Sequence, residues 1–165
     1  MIVTMTAKYG IDVSKWQKGF DFKLARQQGK TFCIVRAGRT TADGRQVMDE
    51  CFYQNINGAK NAGLDLGIYF YSLATDAVTA HREAEWINHL LTTDLCNTNL
   101  KAGVWLDVED PRQANLSPAK LTSVVMAAIN RLNSYGVYVG IYSGYNCLTH
   151  NCYRKRPCRH HCHCK

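Results

Sequence analysis

The sequence predicts an α/β fold, a parallel sheet covered by helices and curved into a (β/α) barrel. Three features carry that reading. Strand-like apolar runs alternate with segments of helical period over residues 9–142. The runs are apolar nearly throughout, as in strands buried on both faces. Polar side chains, namely Asp12, Arg36, Tyr71, Asp107 and Glu109, sit at the C-terminal ends of successive runs. A barrel gathers its site along that whole rim, whereas an open sheet usually uses one crevice.

Tyr9 to Val13 reads as the first strand. Asp21 caps a short helix over Phe22 to Gln28, and Gly29 ends it. Phe32 to Ala37 is the second strand. A helix is expected from Val47 to Ala62, because Phe52, Ile56, Ala59 and Ala62 recur at helical spacing before Gly63. Leu66 to Tyr71 is the third strand, and Ala77 to Leu91 a helix with Ala77, Ala80, Ala84, Ile87 and Leu91 on one stripe. Gly103 to Val108 is the fourth strand. Ser117-Pro118 opens the last helix in the cap-then-proline order. Leu121, Val125, Ala128, Leu132 and Tyr135 are expected on its inner face, and Gly136 closes it. Val137 to Tyr142 is the fifth strand. About five β/α units do not close a barrel, so an incomplete one is expected, with a domain over 1–145 and a separate tail over 146–165.

A chain of 165 residues fits one domain with a real core. Hydrophobic content of 46% and charged content of 20% are ordinary for a globular protein, so disorder is not expected. Five Lys/Arg and no acid fall in 146–165, so without the tail the formal charge of +7 becomes +2. The body therefore shows no basic footprint for nucleic acid. No run approaches the ~20 apolar residues of a membrane span. Met1 to Lys8 lacks the basic start and apolar core of a secretory signal. Among the body cysteines, Cys33, Cys51 and Cys96, no disulfide pairing suggests itself, and Cys33 reads as a small buried hydrophobe.

Leu106-Asp107-Val108-Glu109-Asp110 holds most of the functional information. Alternation along a strand puts Asp107 and Glu109 on one face. Burial and like charge both oppose ionisation of such a pair. The pairing is expected where one acid holds a proton near neutral pH and the other does not. Cleavage of a glycosidic bond uses that arrangement. Alternate strand residues are about 6.6 to 6.8 Å apart, so their carboxyls could approach the roughly 5 to 5.5 Å of retaining enzymes.

Six segments, in order, carry a resemblance to a known family. They are Tyr9-Gly10-Ile11-Asp12-Val13-Ser14-Lys15-Trp16-Gln17, Ile34-Val35-Arg36-Ala37-Gly38, the spaced set Asp49, Phe52, Asn55, Ala59, Ala62 and Gly63, Leu66 to Ser72, Trp105 to Glu109, and Val139 to Ser143. Together they resemble glycoside hydrolase family 25, the Chalaropsis-type lysozymes, over roughly residues 8 to 145. The resemblance implies an irregular TIM-like barrel that cleaves the β-1,4 bond between N-acetylmuramic acid and N-acetylglucosamine. It implies Glu109 as general acid. It implies Asp107 as the group that stabilises developing positive charge or orients the substrate acetamido group. Asp12, Tyr69, Tyr71, Arg36 and Tyr142 would contact substrate. The implied partner is the glycan strand of peptidoglycan, with no cofactor. A protein made in the cytoplasm and reaching the wall by secretion or at lysis fits that activity. A covalent intermediate and assistance by the acetamido group both stay open. So do a chitinase-like hydrolase and a non-catalytic wall-binding remnant.

The resemblance also implies strands past the fifth, one of them bearing another rim aspartate. Residues 147–164 instead hold five Cys and four His, an abrupt change that resembles translation in a shifted frame. A zinc site using Cys158, His160, Cys162 and Cys164 is the alternative, although C-x4-C-x5-C-x3-C-x-C matches no familiar finger.

Plainer readings stand beside these. Asp107 and Glu109 could form a solvated strand end before a turn at Asp110-Pro111. Asp12 could cap a turn with Ser14. Arg36 could simply pair with a rim acid, and Tyr69 and Tyr71 could be packing. Trp16 is expected to pack, and His81 and His89 to be solvated.

Overall fold

The computed structural model describes residues 7–144 and the backbone of His163 and Cys164. The chain runs β1 (Gly10–Val13), α1 (Phe22–Gln27), β2 (Phe32–Thr40), β3 (Gln46–Met48), α2 (Phe52–Asn61), β4 (Asp65–Tyr71), α3 (Ala77–Thr92), β5 (Gly103–Asp107), α4 (Pro111–Ala114), α5 (Pro118–Ser134), β6 (Val139–Ser143) and β7 (His163–Cys164). A 3-10 turn over Lys15–Gln17 follows β1. The main sheet has the order β1-β2-β4-β5-β6-β7, every neighbouring pair parallel. Among the described residues β1 pairs with β2 alone, so the sheet stays open between β1 and β7. This is the incomplete α/β barrel that the strand pattern predicts.

Strand alternation divides the side chains between two faces. Cys33, Val35, Ile68, Phe70, Val104, Leu106 and Val108 join Phe52, Ile56, Ile87, Leu121 and Leu132 in one core between sheet and helices. The alternate positions, Phe32, Ile34, Tyr69, Trp105 and Asp107, line a cavity on the other face. Burial pushes the Cys33 thiol up to about 12, so it behaves as a small hydrophobe rather than a nucleophile. Cys33, Cys51 and Cys96 are all free.

The helices begin where capping chemistry allows. Asp21, Asp76 and Ser117 accept from the N–H groups of Leu24, Thr79 and Lys120 at 2.9, 2.8 and 3.3 Å. Gly63 and Gly136 follow α2 and α5 with φ of 72° and 79°, a region that disfavours a Cβ.

Four expectations need correction. The helix expected from Val47 starts at Phe52. β2 runs on to Thr40, and Gln46–Met48 pairs antiparallel with Gly38–Thr40, so hairpin pairing takes Val47 and Met48 out of the helical register. Ala77 is exposed, while Glu83 and Leu90 lie on the buried side of α3. Tyr135 is 37% exposed and its ring lies 5.0 Å from the Arg131 guanidinium, off the inner face of α5. Trp16 is 76% exposed rather than packed, because the 3-10 turn after β1 lifts it off the sheet. His81 and His89 are exposed, as expected.

Candidate active site

β5 delivers the two acids by simple alternation. Asp107 ends the strand, Val108 turns into the core, and Glu109 returns to the face of Asp107. The backbone around them is held from both sides. Ser72 N–H donates to the Asp107 carbonyl at 3.0 Å, and Val108 N–H donates to the Tyr142 carbonyl at 2.8 Å. Ser143 Oγ donates to the Val108 carbonyl. Immediately after, Asp110 caps α4, its carboxylate accepting from Arg112 N–H at 3.0 Å. Gln113 Oε1 accepts from Asp110 N–H at 3.3 Å, completing a capping box with Pro111 in the first turn. The expected turn at Asp110-Pro111 is therefore the start of a short helix.

Asp12, Asp107 and Glu109 line one cavity of about 240 Å³, together with Tyr69 and Tyr142. Gly10, Phe32, Ile34 and Trp105 line it toward the N-terminal ends of the strands. The acids differ in depth, Asp107 being 4% exposed and Glu109 exposed. Asp12, from β1, is exposed as well, and the turn beyond it is capped by Ser14 instead. Burial raises the Tyr69 phenol, a trend that Arg36 opposes and that Asp107 and Asp12 reinforce. The Ser14 hydroxyl, like Arg36, works to lower it.

Two predicted contacts point elsewhere. Arg36 pairs with Asp49, Nε to Oδ2 at 2.6 Å, and both are buried. A bulge in β2 between Arg36 and Gly38 makes this pairing possible. It leaves the Ala37 carbonyl to accept from Asp49 N–H at 2.9 Å, which draws Asp49 to the strand. Both residues line a separate small cavity with Lys15 and Glu50. Tyr71 donates to Asp110 Oδ2 at 3.3 Å and is not among the residues lining the larger cavity. Its phenol is pushed up to about 12, first by burial and then by Asp110, Asp107 and Glu109.

Trp105 and the cap at Asp110 are contributions that sequence reasoning missed. The pattern Asp110-Pro111-x-Gln113 carries the cap, since it places proline at the first helical position and an amide three residues after the cap. Among the described residues no group of His, Cys, Asp or Glu is placed to hold a metal. The candidate zinc ligands Cys158, His160 and Cys162 lie outside the described residues, as does the side chain of Cys164. No described helix is long and apolar enough to cross a membrane.

A family model, glycosyl hydrolases family 25, matches residues 11–161 and so runs past residue 145. Over 100 residues the chain is 31% identical to the autolytic lysozyme of Clostridium acetobutylicum, an alignment covering 61% of this chain and 28% of that protein. A family 25 glycosyl hydrolase from Bacillus anthracis superposes with a TM-score of 0.71 at 18% identity, over 96% of this chain and 70% of the other. The modular autolysin LytC of Streptococcus pneumoniae, in complex with a synthetic peptidoglycan ligand, gives 0.69 at 20% identity, over 84% of this chain and 33% of the other. At these identities the structural likeness speaks to the fold. The chain spans less than a third of the length of the curated relative, 28%.

Proposed function

The chain belongs to glycosyl hydrolases family 25, and from that premise we propose that it hydrolyses the β-1,4 bond between N-acetylmuramic acid and N-acetylglucosamine in peptidoglycan. One observation carries the reading. Asp107 and Glu109, two positions apart, line the same cavity, and Asp12 joins them from a strand three places away in the sheet.

Glu109, exposed at the cavity, is the general acid that protonates the leaving oxygen. Asp107, deeper and nearly enclosed, stabilises the developing positive charge, directly or by orienting the acetamido group. Tyr69 and Tyr142 offer rings and hydroxyls to the sugar, and Asp12 helps to hold it. The volume of about 240 Å³ is below the ~300–1,000 Å³ of enclosed ligand pockets. Two-carboxylate hydrolysis uses no cofactor. The site of action is the cell wall, in keeping with the names of the autolytic lysozyme and the autolysin.

Digestion of purified peptidoglycan, followed by borohydride reduction and sugar analysis, tests the bond specificity. New reducing ends on muramic acid, with none released from chitin, support the proposal. Release from chitin alone would favour a chitinase-like hydrolase. Release from neither would contradict the proposal.

A further inference from the structure

Glu83 is fully buried in α3 at 0% exposure and is not among the residues lining the cavity. Its oxygens nevertheless organise the loops around the site. Oε1 accepts from Thr40 Oγ1 at 2.7 Å and from Leu73 N–H at 3.0 Å. Oε2 lies 2.6 Å from Ser72 Oγ. The direction of that last bond follows from counting. Ser72 Oγ already accepts from Ala74 N–H at 3.2 Å and from Gln113 Nε2 at 3.2 Å. A hydroxyl has two lone pairs and one proton, so the Ser72 proton must point at Glu83. Glu83 therefore accepts at both oxygens, as an ionised carboxylate does. Burial holds its pKa above the ordinary carboxylate value, and these donors pull it only part of the way back.

From Ser72 the network reaches both sides of Glu109. Ser72 N–H holds the Asp107 carbonyl at 3.0 Å. Gln113, fixed by Ser72 Oγ and by the Ala74 carbonyl at 3.2 Å, accepts from Asp110 N–H at 3.3 Å. Glu109 lies between the two residues whose backbones are held. An apolar side chain at position 83 would fill the space but leave the Ser72, Thr40 and Leu73 donors without an acceptor.

We infer that Glu83 is a positioning residue, fixing the Asp107–Gln113 segment, and with it the orientation of Glu109, through Ser72 and Gln113. The inference rests on the reading of Glu109 as general acid. Glu83→Gln keeps the shape but turns an amide N–H toward a donor, and Ser72 has no lone pair left to receive it. Ser72→Ala cuts the link to Gln113 while leaving Glu83 its bonds to Thr40 and Leu73.

Soluble peptidoglycan fragments and amide hydrogen exchange test it in parallel. Both variants should lower kcat at least tenfold with KM within twofold, and Glu83→Asp should recover part of the loss. The Asp110 and Gln113 amides should exchange at least tenfold faster in both variants, with changes under threefold across β4 and α3. Unchanged kcat, a rise in KM alone, or undisturbed exchange at Asp110 and Gln113 would overturn the inference. If the unsubstituted protein leaves peptidoglycan intact, the functional proposal fails, and the exchange experiment still decides whether Glu83 holds this segment.

Discussion

Trp105 rests on Gly140. A methyl group added at Gly140 would stand 2.5 Å from Cε3 and Cζ3 of the indole, well inside contact distance. The ring has little room to yield, since Nε1 donates to the Ala102 carbonyl at 2.7 Å. Phe32 crowds Gly10 in the same way at the other side of the cavity. Large rings thus fill the inner face of the sheet only because neighbouring strands offer no side chain. Gly140→Ala should cost about 1–3 kcal/mol, the usual range for overpacking. Urea unfolding measures it; a loss below about 0.5 kcal/mol would mean that the ring is free to move.

Arg36 and Asp49 form a buried pair beside the cavity rather than a contact within it. Removing one partner leaves an uncompensated charge, which costs about 3–5 kcal/mol. Arg36→Met should therefore lower stability by about that amount and leave KM for peptidoglycan fragments within twofold in the folded fraction. A large KM change with little loss of stability would restore Arg36 to the substrate site.

The Tyr71 phenol is raised to about 12, so the folded state holds this proton more tightly than the unfolded chain, whose tyrosines ionise near 10. Between those values the unfolded state loses the proton first, and stability falls as pH rises through the window. Tyr71→Phe should flatten that part of the stability profile and remove one late-ionising phenol from the absorbance titration at 295 nm. Parallel profiles for the two proteins would show that Tyr71 ionises as an ordinary surface tyrosine.

Alternation alone made the central pair legible. Asp107 and Glu109 had to share a face once Gly103 to Val108 read as a strand, and both line the cavity. Capped helices such as those at Asp21, Asp76 and Ser117 follow local rules and start close to where those rules put them. What escaped the sequence depends on contacts far along the chain. The β2 bulge and the β3 hairpin decide that Arg36 meets Asp49, and hairpin pairing overrode the helical period around Val47. Nothing in the sequence singles out Glu83, because its partners Thr40, Ser72 and Leu73 come from the ends of other strands. Trp16, apolar and beside a strand, read as packing, and the capped turn that exposes it became clear only in three dimensions.

Turbidity of purified cell walls, followed for the unsubstituted protein beside Glu109→Gln, tests the central claim most directly. Loss of a general acid lowers the rate by about 10²–10⁴-fold. The account predicts clearing by the former and a fall of that order in the latter, with both showing the same circular dichroism. Equal clearing by the two, or none by either, would contradict it.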